Sequence, residues 1–164
     1  MILHYFNKKE NNLKKSSNLI YEDIISNSNN LIKNNLNQQN LNFNLTFEIF
    51  SIITVFYLKK LKDSKTNFSE ISQIIVDNLI SDLDITFREQ GIGDMSIGKY
   101  VKKFVKKFYF RLKILDDLLN EQNGNNLNFV EYLKKFKILN SIDTKKLSNE
   151  LALIYKNLNI DKYK

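Results

Sequence analysis

The sequence has no cysteine, no proline and no tryptophan, and its 164 residues include one alanine, one histidine, two arginines and four glycines. Without cysteine there is no disulfide framework, no thiolate zinc site and no thiol nucleophile. The lone histidine, His4, stands in a segment expected to be a tail, which removes most triad and metal chemistry as well. Long hydrophobic runs are also missing. A membrane span needs about 18 to 20 uncharged residues, whereas the most apolar stretch, 45–61, has only 10 residues between Glu48 and Lys59. The start, Met1–Phe6, lacks the apolar region and small-residue cleavage site of a secretory signal, so the chain is expected to stay where it is made.

What is present fits one soluble globular domain: 43% hydrophobic and 26% charged residues in a length suited to a single core. The formal charge of +7 invites an acidic partner, a membrane surface or nucleic acid. However, 24 Asn and 23 Lys beside so few Ala and Arg are what AT-rich codons would give, and that discounts the lysine excess as a signature. Against this background the rare residues are informative. Gly91, Gly93 and Gly98 and both arginines, Arg88 and Arg111, all fall within residues 88–111.

The patterns predict an all-α, single-domain bundle of about five to seven helices over residues 16–164, after a flexible tail at 1–15. Leu19, Ile20, Ile24 and Ile25 give a short amphipathic segment, and the Asn-rich stretch 26–44 reads as a weak helix followed by a loop. Residues 45–61, apolar nearly all round, predict a central buried helix. Ser69 and Glu70 open the next one, which runs to about Glu89 and is broken at Gly91-Ile92-Gly93-Asp94. Ser96 is expected to cap a helix whose Val101, Phe104, Val105, Phe108, Leu112, Leu115 and Leu119 share an arc of about 100°. A loop around Gly124 and two shorter helices, near 128–140 and 143–158, complete the chain.

Charge is segregated along this middle region. Residues 70–94 carry a balance of −5 and residues 95–115 a balance of +7. Lys99, Lys102, Lys103, Lys106 and Lys113 lie opposite the apolar stripe, with Phe110 among them. This is either a solvated face with some lysines paired to the acidic helix, or a docking face for a membrane surface or partner. Asp82 projects into the apolar arc of Ile71, Ile74, Ile75, Leu79 and Ile85, where a carboxylate needs a partner. Arg111 is the base best placed to provide one, so a structural Asp82–Arg111 pair is expected, with Arg88 beside Asp84. The acids do not suit metal binding or catalysis: Asp82 and Asp84 diverge by about 200°, and Asp82 and Glu89 are roughly 10 Å apart along the axis. The Gly-x-Gly turn lacks the third glycine of a dinucleotide loop and is expected to form a helix corner. No enzyme is expected.

The run Asp82-Leu83-Asp84-Ile85-Thr86-Phe87-Arg88-Glu89-Gln90-Gly91-Ile92-Gly93-Asp94, followed by Ile97-Gly98-Lys99 and Phe108-Tyr109-Phe110-Arg111, resembles the ubiquinol-cytochrome c chaperone family. Members share a pattern like D-x-D-x-x-L-R-E-x-G-V-G-D and a basic helix ending F-Y-G-R. Here Phe87 replaces the leucine and Phe110 the glycine of that last motif. The resemblance implies an assembly factor for the cytochrome bc1 complex that binds newly made cytochrome b or another bc1 subunit, and that acts with a small partner protein near the ribosome or an anionic membrane surface. It implies no cofactor, no reaction and no specific DNA target. The implied location is the cytoplasm, or the mitochondrial matrix in a eukaryote, with a peripheral position on the inner membrane.

The expected partner-binding residues are Asp84, Arg88, Glu89, Gly91, Gly93, Asp94, Lys99, Lys102, Lys103, Lys106, Tyr109 and Phe110, with Asp82, Arg111, Phe104 and Phe108 structural. The alternatives are a basic helical nucleic-acid-binding protein and a soluble adaptor. Arginine would read base edges better than lysine, and no helix-turn-helix spacing is present.

Overall fold

The computed structural model describes residues 2–35, 42–64, 68–121, 128–135 and 143–163, with side chains from Asn12 onward. The described residues form an all-α bundle. Its helices are α1 (Ile2–Asn35), α2 (Phe43–Asp63), α3 (Phe68–Glu89), α4 (Asp94–Glu121), α5 (Val130–Lys135) and α6 (Thr144–Asn157), and a 3-10 turn follows at Asp161–Tyr163. Most of the expected loop around Gly124 and the last part, 136–140, of the helix expected near 128–140 lie outside the described residues.

Helix α2 is the axis of the core. Every residue from Ser51 to Leu58 is buried, so the helix is enclosed all round, as its unbroken apolar composition requires. Asn42 starts it from an extended conformation, and its side-chain oxygen accepts the Leu45 N–H at 3.0 Å. The buried Ser51 and Thr54 hydroxyls need no partner outside the helix. Ser51 Oγ donates to the Phe47 carbonyl and Thr54 Oγ1 to the Phe50 carbonyl, each one turn back along the helix.

Around α2 pack α1, α3 and α4, while α5 and α6 close the remaining side, where Phe56 meets Phe129 and Tyr155. Phe43 and Phe47 of α2 meet Phe104 of α4 near one end, and Lys59 of α2 meets Asp116 of α4 near the other. Helices α2 and α4 therefore run in the same direction, with α3 returning between them. Helix α1 is longer than the segment expected from Leu19 to Ile25, because the polar residues before and after that stripe continue the same helix. Buried Ile20, Tyr21, Ile24 and Leu31 mark the face that meets the core.

Two expectations are corrected. Ser96 does not precede α4 but lies inside its first turn. The Gly93 carbonyl accepts from the Ser96 and Ile97 N–H groups, so the helix begins at Asp94, whose carboxylate favours the positive helix end. The Asp82–Arg111 pair does not form. The buried face of α3 is Ile71, Ile75, Val76, Leu79, Leu83 and Phe87, which turns Asp82 to the margin beside α1 and leaves Ile85 half-exposed. Asp82 accepts a hydrogen bond from the Tyr21 hydroxyl at 2.7 Å, and Arg111 is bound to Glu48 instead.

Candidate functional site: the corner between the third and fourth helices and its basic face

The corner begins where α3 must stop. The Gly91 N–H donates to the Arg88 carbonyl at 2.9 Å and the Ile92 N–H to the Phe87 carbonyl at 3.0 Å. These two bonds satisfy the last carbonyls of the helix in a Schellman arrangement, which needs a left-handed residue at Gly91, where φ is +79°. Ile92 tucks back against the core, and Gly93 then hands the chain to α4.

Arg88 ties the two sides of this corner together. Its Nε donates to Asp84 at 2.7 Å, one turn earlier on α3, and its Nη1 to Asp94 at the start of α4. The Asp84 hydrogen bond and charge, with a smaller contribution from Asp94, hold the guanidinium firmly protonated, its pKa raised. All three residues keep contact with water, and Glu89 beside them is exposed. Arg88 thus stands beside Asp84 as expected, and Asp94 is a second partner that sequence reasoning missed.

Behind the corner lies an aromatic cluster. Phe43, Phe47, Phe87 and Phe104 pack with ring centroids 4.9–6.3 Å apart, mostly edge to face, and Tyr100 covers Phe87 at 5.6 Å. Phe87, which stands where the family pattern has leucine, is buried in this cluster, so the larger ring is accommodated. Phe104 and Phe108 are both buried.

Helix α4 is held against α2 by Arg111. Its Nε and Nη2 each lie 2.6 Å from a different carboxylate oxygen of Glu48, and both side chains are largely removed from solvent. A planar guanidinium on a carboxylate in this two-pronged geometry fixes direction as well as distance. Lys107, half-buried nearby, donates to Asn44 at 3.1 Å and sits 4.5 Å over the Phe104 ring. Burial lowers its pKa, with help from Lys103 and Arg111, although the Glu48 charge opposes this.

The opposite side of α4 is open. Lys99, Lys102, Lys103, Lys106 and Lys113 are all exposed, and among the described residues none of them is ion-paired, so of the two alternatives the pairing to the acidic helix is not seen. Phe110 and Tyr109 are half in water, at 53% and 52%, and Met95 is fully exposed. Beside Tyr109 a recess of about 250 Å³ opens between α2, α3 and α4, lined by Val55, Leu58, Phe68, Val76 and Leu112 and edged by Lys62 and Asp116. None of the described helices is long and apolar enough to cross a membrane.

The structure thus brings Asp84, Arg88, Glu89, Gly91, Gly93 and Asp94 together at one corner. Lys99, Lys102, Lys103, Lys106, Tyr109 and Phe110 run along the helix that leaves it. Asp82 stands apart, against α1.

Comparison with known proteins agrees with this unit. Residues 38–128, more than half of the chain and including all of α2, α3 and α4, match the family described as Ubiquinol-cytochrome C chaperone. No curated protein and no solved structure gives a significant match. With the buried Glu48–Arg111 pair, the double-glycine corner and the basic helix all inside the matched region, the chain belongs to the ubiquinol-cytochrome c chaperone family.

Proposed function

We propose that this protein is an assembly chaperone for the cytochrome bc1 complex that binds newly made cytochrome b at or near the membrane. The observation that carries this reading is the family match across α2–α4, the region in which the corner and the basic helix are built. The corner residues Asp84, Arg88, Glu89, Gly91, Gly93 and Asp94 form the docking surface for the client. The recess beside Tyr109 gives an apolar side chain of the client somewhere to anchor. The action is binding rather than catalysis, so its effect is measured as the survival of an immature subunit.

The test is deletion of the gene followed by measurement of haem-loaded cytochrome b in membranes. A loss of the cytochrome b signal, restored by the wild-type gene, is expected. Unchanged cytochrome b would end this reading. A pull-down that returned only soluble partners would favour the adaptor alternative.

A further inference from the structure

We infer that the outer face of α4 is a peripheral docking surface for an anionic lipid bilayer. At 1.5 Å per residue, Lys99 to Lys113 spans about 21 Å of helix. In that distance Lys99, Lys102, Lys106 and Lys113 share an arc of about 100° with Met95, Tyr109 and Phe110, and Lys103 lies just outside it. The face therefore combines unpaired ammonium groups with three large apolar side chains already in water. It is bounded by Asp94, which is tied to Arg88, and by Asp117 one turn beyond Lys113.

Three features favour a bilayer over other polyanions. Both arginines are committed internally, Arg88 to Asp84 and Asp94 and Arg111 to Glu48, so the face offers only lysine point charges and no guanidinium fork for bases or single phosphates. Lysine stems can lie along an apolar boundary while their ammonium groups reach headgroups, and Met95 and Phe110 can enter between those headgroups. The face is also the convex outside of one helix, which suits a flat charged surface better than an extended acidic peptide. A surface of this kind provides an attachment that a chaperone of a membrane-embedded client needs. For that purpose alone, the inference rests on the function proposed above.

The test is sedimentation of the full chain with phosphatidylcholine vesicles, with and without a minority of phosphatidylglycerol, at salt concentrations from about 0.1 to about 1 M, over which the Debye length falls from about 10 to about 3 Å. Binding is expected only with phosphatidylglycerol and is expected to fall steeply with salt. The triple change Lys99→Glu, Lys103→Glu, Lys106→Glu should weaken it at least tenfold. Phe110→Ala should weaken it several-fold while keeping the salt dependence. Circular dichroism confirms that each variant is folded, and Lys145→Glu on α6 serves as a charge control.

Failure of the wild type to pellet with anionic vesicles overturns the inference, as does equal binding to neutral ones. Tighter binding to a single-stranded RNA oligonucleotide under the same conditions also overturns it. Vesicle binding is measured without the client, so the two readings fail separately. A wild type that does not bind lipid but still sustains cytochrome b leaves the chaperone function standing and removes the lipid face. Lipid binding together with normal cytochrome b in a deletion strain does the reverse.

Discussion

Arg111 of α4 and Glu48 of α2 form a buried two-pronged ion pair, with both contacts at 2.6 Å, and this pair sets how the basic helix lies on the core. Removing one partner leaves a charge without its counter-ion in a place where water cannot compensate. Glu48→Ala or Arg111→Ala should therefore destabilise the fold by about 3 to 5 kcal/mol. For a chain of this length each kcal/mol corresponds to about 2–4 °C in the melting midpoint. Replacing both together, Glu48→Leu with Arg111→Met, should recover most of that loss, because the desolvation cost of both ions disappears with them. If the double variant is as unstable as the single ones, the pair is not the unit described here.

The glycines near the corner should respond with opposite signs. Gly91 has φ at +79°, so a side chain there is strained even though the space around it is open. Gly91→Ala should destabilise by about 1 to 2 kcal/mol. Gly98 lies within α4 and an added methyl group would meet nothing, so Gly98→Ala should stabilise by up to about 1 kcal/mol through helix propensity. Thermal or urea unfolding of the two variants measures both signs in one comparison. Matching effects would mean that backbone conformation does not distinguish the two positions.

Much of this was legible in the sequence, for identifiable reasons. Helix α2 is apolar all round and could only be central, and the long stripe from Val101 to Leu119 marked the inner face of α4. The exposed lysines and Phe110 followed from the same periodicity. The Asp82–Arg111 pair does not follow from the pattern because Ile74 and Ile85, which widen the apolar arc of α3 around Asp82, are not fully buried. Counting them shifts the apparent inner face of α3 away from Leu83 and Phe87 and places Asp82 at its centre. Glu48 carried the missing signal. A carboxylate buried near the start of so apolar a helix must have a partner, and Arg111 was the base available to it. The ties of α1 to the other helices were hidden for another reason: they are contacts between residues about 30 or more positions apart, such as Asn27 with Tyr57 and Tyr21 with Asp82, and no local period encodes them.

A pH dependence is expected at the C-terminal end, where Lys162 and Tyr163 donate to the Asp23 carboxylate of α1, Lys162 at 2.5 Å. Burial pushes the Asp23 carboxyl upward, but the bonds from Lys162, Tyr163 and Tyr57 and the Lys162 charge outweigh it, and the pKa lies below the usual carboxylate value. A lowered pKa contributes stability that is fully present above the unfolded value, about 3.9, and is lost as pH falls through the folded one. Hydrogen exchange at the amides of Asp161–Tyr163 should thus be slow near neutral pH, relative to the intrinsic rate, and lose protection below about pH 4. Asp23→Asn should remove most of that protection at neutral pH and make it nearly independent of acid. Acid-dependent protection that persisted in the variant would place its origin in another group.

Arg88 decides whether the corner is scaffold or docking surface. Its bonds to Asp84 and Asp94 are exposed, and exposed pairs contribute little to stability, so Arg88→Ala and Asp94→Ala should each leave the melting midpoint within a few degrees of wild type. If the corner meets the client, either variant should nonetheless lower haem-loaded cytochrome b in membranes. The exchange Arg88→Asp with Asp94→Arg should restore the local pairing without restoring that level, because the charges would face the client reversed. Rescue by the exchanged pair would assign the two residues to holding α3 against α4, and the client contact would then have to lie farther along α4.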